Sequence, residues 1–406
     1  MRLSILTECG CGMRVIDPPV HIEPVLRCLN ENGYHAFLVG GCVRDAVIGR
    51  HISDWDVASS ATPEEVARLF PKTFMTGVKY GTVTVLTPGS SVEVTTFRTD
   101  GEYNDGRRPD SVEFVTNLRE DLSRRDFTIN AMAASSAGEL IDPFEGLADI
   151  RNRIIRCVGD PDLRFSEDAL RMFRAFRFSA QLGFSIEPET LRAIQANADR
   201  AGLISAERIR VELEKTLMSD KPEMTSEIIT AGLLNRYLSL QAVVLAGIER
   251  IALLPSEPLL RWYAFCKLLL SAGLITSPTE FLRELRLDGK TISACTTAQT
   301  ITDFPDGRLE IKKLLAKHGA DAVRCAAAAH DTTEPSPCVV KTDEIIGSGE
   351  CFSLRNLAIA GSDLIAAGHL PGPGLGATLQ MLLDHVVERP EDNTREILLE
   401  TSKRGT

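Results

Sequence analysis

Asp54 and Asp56 stand two residues apart in the segment SDWDVASS, residues 53–60. Alternation there predicts a strand, which points both carboxylates to one face. Two carboxylates side by side repel unless a cation sits between them. Mg²⁺ suits such a pair, because it takes one or two carboxylates together with substrate phosphates. Phosphoryl transfer uses metals of this kind to clamp the attacking and leaving oxygens in line. An isolated Asp-x-Asp is usually a surface or turn feature, so its setting matters. Gly40-Gly41 follows a predicted strand and precedes a predicted helix that carries Arg44. Glycines let a phosphate approach the backbone, and the helix N-terminus offers it N–H groups. Arg44 can add charge-assisted hydrogen bonds to a triphosphate. Taken alone, the glycine pair is a tight strand–helix connection. It is not a Walker loop, since no GxxxxGK[ST] occurs. Glu93, on a neighbouring predicted strand, is either a third carboxylate near the metals or part of a solvated strand face.

A second run is Glu167-Asp168-Ala-Leu-Arg171-Met-Phe-Arg174-Ala-Phe-Arg177. Asp168, Arg171, Arg174 and Arg177 step by three, which predicts one ridge of a helix. Leu170, Phe173 and Phe176 would then pack the other way, as a core stripe. A salt-bridged helix surface is the plainer reading of such a charge row. The Asp/Arg pair nevertheless has the chemistry to read a base. An Asp oxygen accepts from an exocyclic amino group, and an Arg donates to a ring nitrogen. Cytosine and adenine offer that combination, whereas uracil and guanine offer the reverse and would leave buried polar groups unpaired. Arg174 and Arg177 lie one and two turns on, within reach of phosphate or ribose.

The elements that must position these residues are legible along the chain. A helix is predicted over 20–33, stopped by Gly33, then a strand at 35–41 and a short helix at 42–49 stopped by Gly49. A helix over 61–70 starts at Thr62 as N-cap with Pro63 next. Residues 81–87 and 91–97 alternate on either side of Pro88-Gly89 and read as paired strands. Residues 98–111 are polar and charged and read as a mobile loop, before strand character returns at 111–116. From about 119 the pattern turns helical: 124–134, 167–184, 205–219, 224–237, 257–273, 278–286, 308–318, 319–330 and 374–388. No strand is convincing after 220. The stretches 332–337 and 368–376 read as hinges or loops.

The chain's 406 residues are too many for one ordinary core and suggest two to four domains. With 44% hydrophobic and 25% charged residues it is an ordinary folded composition. Its formal net charge of −11 disfavours a general polyanion-coating protein, so any RNA would be met by a basic face rather than by the bulk field. No apolar run approaches the ~20 residues of a membrane span, and the first apolar stretch is too short for a secretion signal. Cys9 and Cys11 are the one close pair among ten cysteines, with no second pair at zinc spacing. Reduced, mostly buried thiols in the cytosol are expected. Residues 1–12 read as an unstructured extension or a misplaced start before Met13.

Six segments match a known family in order and spacing: LVGGCVRD (38–45), SDWDVA (53–58), RRDFTINAMA (124–133), DPFEGLADI (142–150), RFSEDALRMFRAFRF (164–178) and SAERIRVEL (205–213). They resemble the motifs of the class II tRNA nucleotidyltransferase and bacterial poly(A) polymerase family, closely over residues 35–215. Residues 361–383 resemble the tail of the compact bacterial CCA-adding members. The resemblance implies an α+β fold: a nucleotidyltransferase, polymerase β-like head at 13–150, then a helical neck at 151–219, body at 220–300 and tail at 301–406. It implies Mg²⁺ on Asp54 and Asp56. It implies triphosphate or sugar contacts from Gly41, Arg44 and Arg125. It implies a protein template for the incoming base at Asp168 and Arg171, with Arg174 and Arg177 lining the same pocket.

Within that family the present loop at 98–111 favours the ability to add A, and the absence of a basic C-terminal extension disfavours a poly(A) polymerase. Full addition of CCA to tRNA from CTP and ATP in the cytoplasm is the favoured expectation. A-only addition comes second and poly(A) synthesis third. The loop is the candidate for reshaping the pocket between the second C and the A. From other classes, a catalytically silent RNA-binding relative is disfavoured by the intact aspartates. A small-molecule nucleotidyltransferase is disfavoured by the long helical body. Some relatives carry a metal phosphohydrolase domain; His330-Asp331 lacks partner histidines and reads as a helix end. Monomer and homodimer both remain open.

Overall fold

A computed structural model describes residues 13–100, 112–239, 245–330 and 337–404. The expected extension at 1–12 and most of the expected loop at 98–111 lie outside the described residues, as does most of the 332–337 hinge. The chain divides into two compact units, the first ending at Ser205 and including Ala231–Leu233, the second holding Ala206–Thr230 and the residues from Leu234 onward.

The first unit opens with α1 (Glu23–Glu31), β1 (Ala36–Val39), α2 (Gly41–Ile48) and β2 (Asp56–Ser59). Next come α3 (Pro63–Leu69), β3 (Thr73–Gly77), β4 (Thr82–Thr87) and β5 (Ser90–Thr96). A small ribbon, β6 (Arg98–Asp100) with β7 (Val112–Phe114), is followed by α4 (Leu118–Ser123), β8 (Ala133–Ala134) and β9 (Leu140–Ile141). The unit continues through α5 (Gly146–Asn152), β10 (Ile154–Ile155), α6 (Pro161–Glu167), α7 (Leu170–Leu182), β11 (Ser185–Ile186) and α8 (Pro188–Ala196).

Seven strands form one sheet in the order β3-β4-β5-β2-β1-β8-β9. Within it β2 and β5 run parallel, while the other neighbours are antiparallel. Alternating apolar residues hold it: Leu38, Val57, Val83, Val85, Val92 and Val94 are fully buried or nearly so. On the other face Val39 and Ala58 pack with Phe97, Leu122, Ala131, Ala133 and Val158. Helix α3 starts as its sequence demands: Thr62 Oγ1 accepts from the Glu65 amide and the Glu65 carboxylate accepts from the Thr62 amide, a complete capping box.

Three expectations need correction, and one strand was not expected. The strand over 53–60 begins only at Asp56, because its first ladder partner on β5 is Glu93; Asp54 precedes it. Residues 98–100 are strand β6, not loop, tied to residues 112–114. Residues 124–134 are not a helix. Thr128 donates its amide to Arg156 O at 2.9 Å, a short 3₁₀ turn follows over Thr128–Asn130, and Ala133 joins the sheet opposite Val39. Here tertiary pairing overrides helical periodicity. Strand β3 was not foreseen at all.

The second unit is helical: α9 (Ala206–Leu217), α10 (Met224–Thr230), α11 (Pro258–Ser271), α12 (Pro278–Glu284), α13 (Gly289–Ala298) and α14 (Arg308–His318). It ends with α15 (Ala320–His330), α16 (Pro337–Gly347), α17 (Gly361–Ala366), α18 (Pro373–Glu388) and α19 (Arg395–Arg404). Among the described residues after 220 there is no strand, as the sequence indicates. His330 closes α15, a helix end as expected, while Asp331 lies outside the described residues. The distal core gathers Leu364, Leu382, Leu383, Val386, Val387 and Leu398. No described helix is long and apolar enough to cross a membrane. The eight described cysteines are free, and six of them are buried; Cys9 and Cys11 lie outside the described residues.

Candidate functional site

The turn from β1 into α2 is built for glycine. Gly40 sits at φ +74°, where a side chain is strained, and a Cβ there would meet Arg125 Nη1 at 3.0 Å. Gly41 opens α2, and Arg44 follows one turn on. Arg44 is largely buried. Its Nε and Nη2 each donate to Asp45 at 3.0 Å, and its Nη1 donates to Asn130 Oδ1 at 2.6 Å. Its guanidinium lies 5.1 Å from the Phe178 ring centroid.

Asp56 heads β2 directly opposite Glu93 of β5 in the parallel register. Asp54, Asp56 and Glu93 are all exposed. Packing on the protein side still desolvates the Asp56 carboxyl and raises its pKa; Arg125 opposes this, and the charges of Glu93 and Asp54 raise it further. Cys42 lies buried at the start of α2 beside Asp56, its Sγ donating to Val39 O at 3.3 Å. Burial pushes that thiol up to about 11, so it serves as packing rather than as a nucleophile.

Among the described residues no three ligating side chains are preassembled around one point. The donor set is instead a pair of exposed aspartates, with Glu93 across the ladder. That set fits Mg²⁺, which completes its shell with substrate phosphate and water rather than with an all-protein cage. It does not suit an ion that demands a closed site.

The segment 121–130 ties the start of β2 to α7. Buried Asp121 accepts from Arg124 Nη2 at 2.7 Å and from Arg125 Nη2 at 3.1 Å. Burial acts to raise the Asp121 carboxyl, but the two guanidinium charges win and its pKa is lowered. Asp126, also buried, accepts from Arg174 Nε at 2.7 Å and from Asn130 Nδ2 at 3.1 Å. Burial again opposes ionisation, yet Arg174 above all holds the Asp126 carboxyl down at about 2. Arg125 thus faces Asp56, while the carbonyl of its neighbour Arg124 accepts from Arg171 Nη2 at 2.8 Å.

The expected ridge on α7 is only partly helical. Asp168 is the extended C-cap of α6, and its carboxylate accepts from the Leu170 amide at 3.0 Å at the start of α7. It therefore stands at the junction of two helices and not on the helix with the arginines. Arg171 is buried; it donates to Arg164 O at 3.0 Å and pairs with Glu167. Arg177 is buried, donates to Gln181 Oε1 at 3.2 Å, and lies 4.1 Å from the Phe178 centroid. Leu170, Phe173 and Phe176 form the buried stripe the spacing predicts.

Sequence reasoning did not single out Asp121, Asp126, Asn130 or Phe178. A signal existed for Asp121, an acid three and four residues before the paired arginines Arg124 and Arg125. Nothing in the sequence marks Phe178, since its neighbours Phe173 and Phe176 look the same.

Comparison with known proteins points the same way. Residues 36–156 match the family described as "Poly A polymerase head domain". Residues 183–241 match "Probable RNA and SrmB- binding site of polymerase A", and residues 261–401 match tRNA nucleotidyltransferase domain 2. The CCA-adding enzyme of Levilactobacillus brevis is 40% identical over 93% of this chain and 96% of its own length. That of Geobacillus stearothermophilus is 39% identical over 92% and 93%. The crystal structure of the Bacillus stearothermophilus CCA-adding enzyme in complex with CTP superposes with a TM-score of 0.74 at 34% identity, covering 94% of this chain and 96% of that one. Relatives alike over nearly their whole length, with Asp56 at the exposed start of an interior strand opposite Glu93 and the glycine turn with Arg44 on the neighbouring strand's helix, place this chain in the CCA-adding enzyme family.

Proposed function

We propose that this protein adds C, C and A to the 3′ end of tRNA, using CTP and ATP and releasing pyrophosphate, in the cytoplasm. The observation that carries the reading is the Asp56–Glu93 pairing, with Asp54 beside it, at the exposed start of β2 where like charges are left to be neutralised by a ligand. Asp54 and Asp56 would hold Mg²⁺. When bound, that metal acidifies the tRNA 3′-hydroxyl and stabilises the charge on the departing pyrophosphate. The chain's own groups do the remaining work. The Gly40–Gly41 turn lets the triphosphate approach the backbone, and Arg44 supplies charge along it. Arg125, poised over Gly40 and toward Asp56, reaches sugar or phosphate. Asp168 and Arg171 read the amino and ring-nitrogen edge shared by C and A, with Arg174 and Arg177 lining the pocket. Residues 13–150 carry the chemistry and 151–219 the base recognition. The body at 220–300 and tail at 301–406 hold the acceptor arm through phosphate and shape.

The test uses tRNA lacking its last three nucleotides, incubated with each nucleotide singly and in pairs, followed by sequencing of the ends. Ordered CCA is expected. A alone, or runs of A, would replace this reading with the A-adding or polymerase one; no addition despite tRNA binding would mean a silent relative. Arg171→Ala is expected to let U or G be incorporated roughly tenfold more often, and unchanged selectivity would remove the template role.

A further inference from the structure

The geometry points to Asn130 as a positioning residue that couples triphosphate binding to base choice, an inference that rests on the proposed function. Asn130 is buried, and its side-chain amide is used at both ends. Its Oδ1 accepts from Arg44 Nη1 at 2.6 Å, and its Nδ2 donates to Asp126 Oδ1 at 3.1 Å. The other Asp126 oxygen accepts from Arg174 Nε at 2.7 Å. A flipped amide would set NH₂ against a guanidinium and oxygen against a carboxylate, so the network itself fixes its orientation.

The result is a chain of four groups, Arg44–Asn130–Asp126–Arg174, with alternating polarity along its length. One end lies on α2, beside the glycine turn that receives phosphates. The other lies on α7, the helix assigned to the base. Phe178 closes the loop from the other side: its buried ring has Arg44 and Arg174 at 5.1 and 5.3 Å from the centroid. Both guanidinium planes are thus held by one amide-linked path and one aromatic surface. A displacement of Arg44 on binding a triphosphate would be felt at Arg174 through three hydrogen bonds, two of them made by the Asn130 side chain and the third by Asp126. Asn130 acts through these arginines and not on the reacting atoms.

Two substitutions separate the two ends. Asn130→Ala removes both contacts. Asn130→Asp keeps an oxygen for Arg44 but sets a second carboxylate against Asp126, which loosens the hold on Arg174. The measurements are KM for CTP and ATP, the ratio of U or G to C incorporated into tRNA lacking its terminal CCA, and Tm. Asn130→Ala is expected to raise both KM values and misincorporation roughly tenfold each, since a hydrogen bond to a charged group is lost at either end. Asn130→Asp is expected to hold KM within about twofold while misincorporation still rises roughly tenfold. If both variants keep wild-type KM and base choice and change only Tm, or if both move KM equally, the coupling role is wrong. Should Asn130→Ala not fold, Asn130→Asp decides alone by whether base choice degrades at constant KM. A wild-type protein that adds nothing to this tRNA would fail the proposed function instead, before either variant is compared.

Discussion

Arg324 in the helical unit and Asp56 in the sheet unit treat charge in opposite ways. Arg324 donates from both Nη atoms to Glu257 at 2.6 and 2.8 Å, and from Nε and Nη2 to Asp343 at 2.6 and 3.1 Å. Those bonds join α15 to α16 and to the residue preceding α11. Arg261, buried in α11, is satisfied by carbonyls alone, with Leu217 O at 2.7 Å, Ser219 O at 2.8 Å and Leu254 O at 3.0 Å. Such groups answer their own charge and need nothing from outside. At the start of β2 the chain instead sets Asp56 opposite Glu93 and near Asp54, with Arg125 as the counter-charge. Charge answered internally is scaffolding; like charge gathered at the exposed start of β2 is, on the proposed function, a binding device that a ligand would complete.

The sharpest way to break this comparison is to remove the repulsion. Asp56→Asn, and likewise Asp54→Asn, should cut nucleotide addition by a factor on the order of a thousand, because charge stabilisation at the reacting phosphate is lost. Tm should stay level or rise slightly, since a like-charge contact is relieved, and tRNA binding should persist. Retained turnover would remove the metal assignment. A clear fall in Tm would show that these carboxylates hold the fold together after all.

The reverse is expected at Arg324. Arg324→Ala leaves Glu257 and Asp343 facing one another without their shared cation. Both carboxylates are about two-fifths exposed, at 43% and 41%, so solvent screens much of the penalty. A loss of about 1–3 kcal/mol is expected in urea titration. Arg324→Lys should recover only part of it, because an ammonium cannot serve two carboxylates in forked geometry. Nucleotide addition well below the unfolding transition should be unchanged. An unaltered urea midpoint would mean the network is ornamental.

The two units were unequally legible in the sequence, and for the same reason. Sheet strands with strict alternation, such as 82–87 and 90–96, announce themselves, and so does α3 through Thr62, Pro63 and Glu65. Helices of the second unit show their apolar spacing, though α13, α16, α17 and α19 were not separated out, because short helices with small residues carry little periodicity. What failed was residues 124–134, whose local pattern is helical but whose amides are claimed by Arg156 and the sheet. Asp168 failed similarly: a spacing of three cannot reveal that α6 ends at Glu167. The candidate residues Asp54, Asp56, Gly41 and Arg44 could be singled out because Asp, Gly and Arg are chemically distinctive. Asn130 and Asp126 could not, since their meaning lies in partners 86 and 48 residues away.

The smallest effect tests the comparison where it is most delicate, at a carboxylate in the helical unit. Glu350 pairs with Arg308 and, at 2.9 Å, with Lys312, whose side chain is only 4% exposed. Hydrogen bonds from Arg308 and then Lys312 hold the Glu350 carboxyl down from 4.5 to about 2. A carboxyl depressed in the folded state lends stability above its ordinary pKa and loses it as pH falls through the folded value. Stability from this group should therefore be whole above pH 4.5 and fade toward pH 2. With a quarter of the side chain exposed, Glu350→Gln should cost about 1 kcal/mol at neutral pH. The gap to wild type, read from urea titrations at pH 7 and near pH 2, should close at the acid end. A gap that persists there would mean packing, not charge, is at work. Here, then, erasing a carboxylate weakens the fold and spares the reaction, whereas at Asp56 the same change spares the fold and stops the reaction; a stability loss of equal size at both positions would dissolve the distinction.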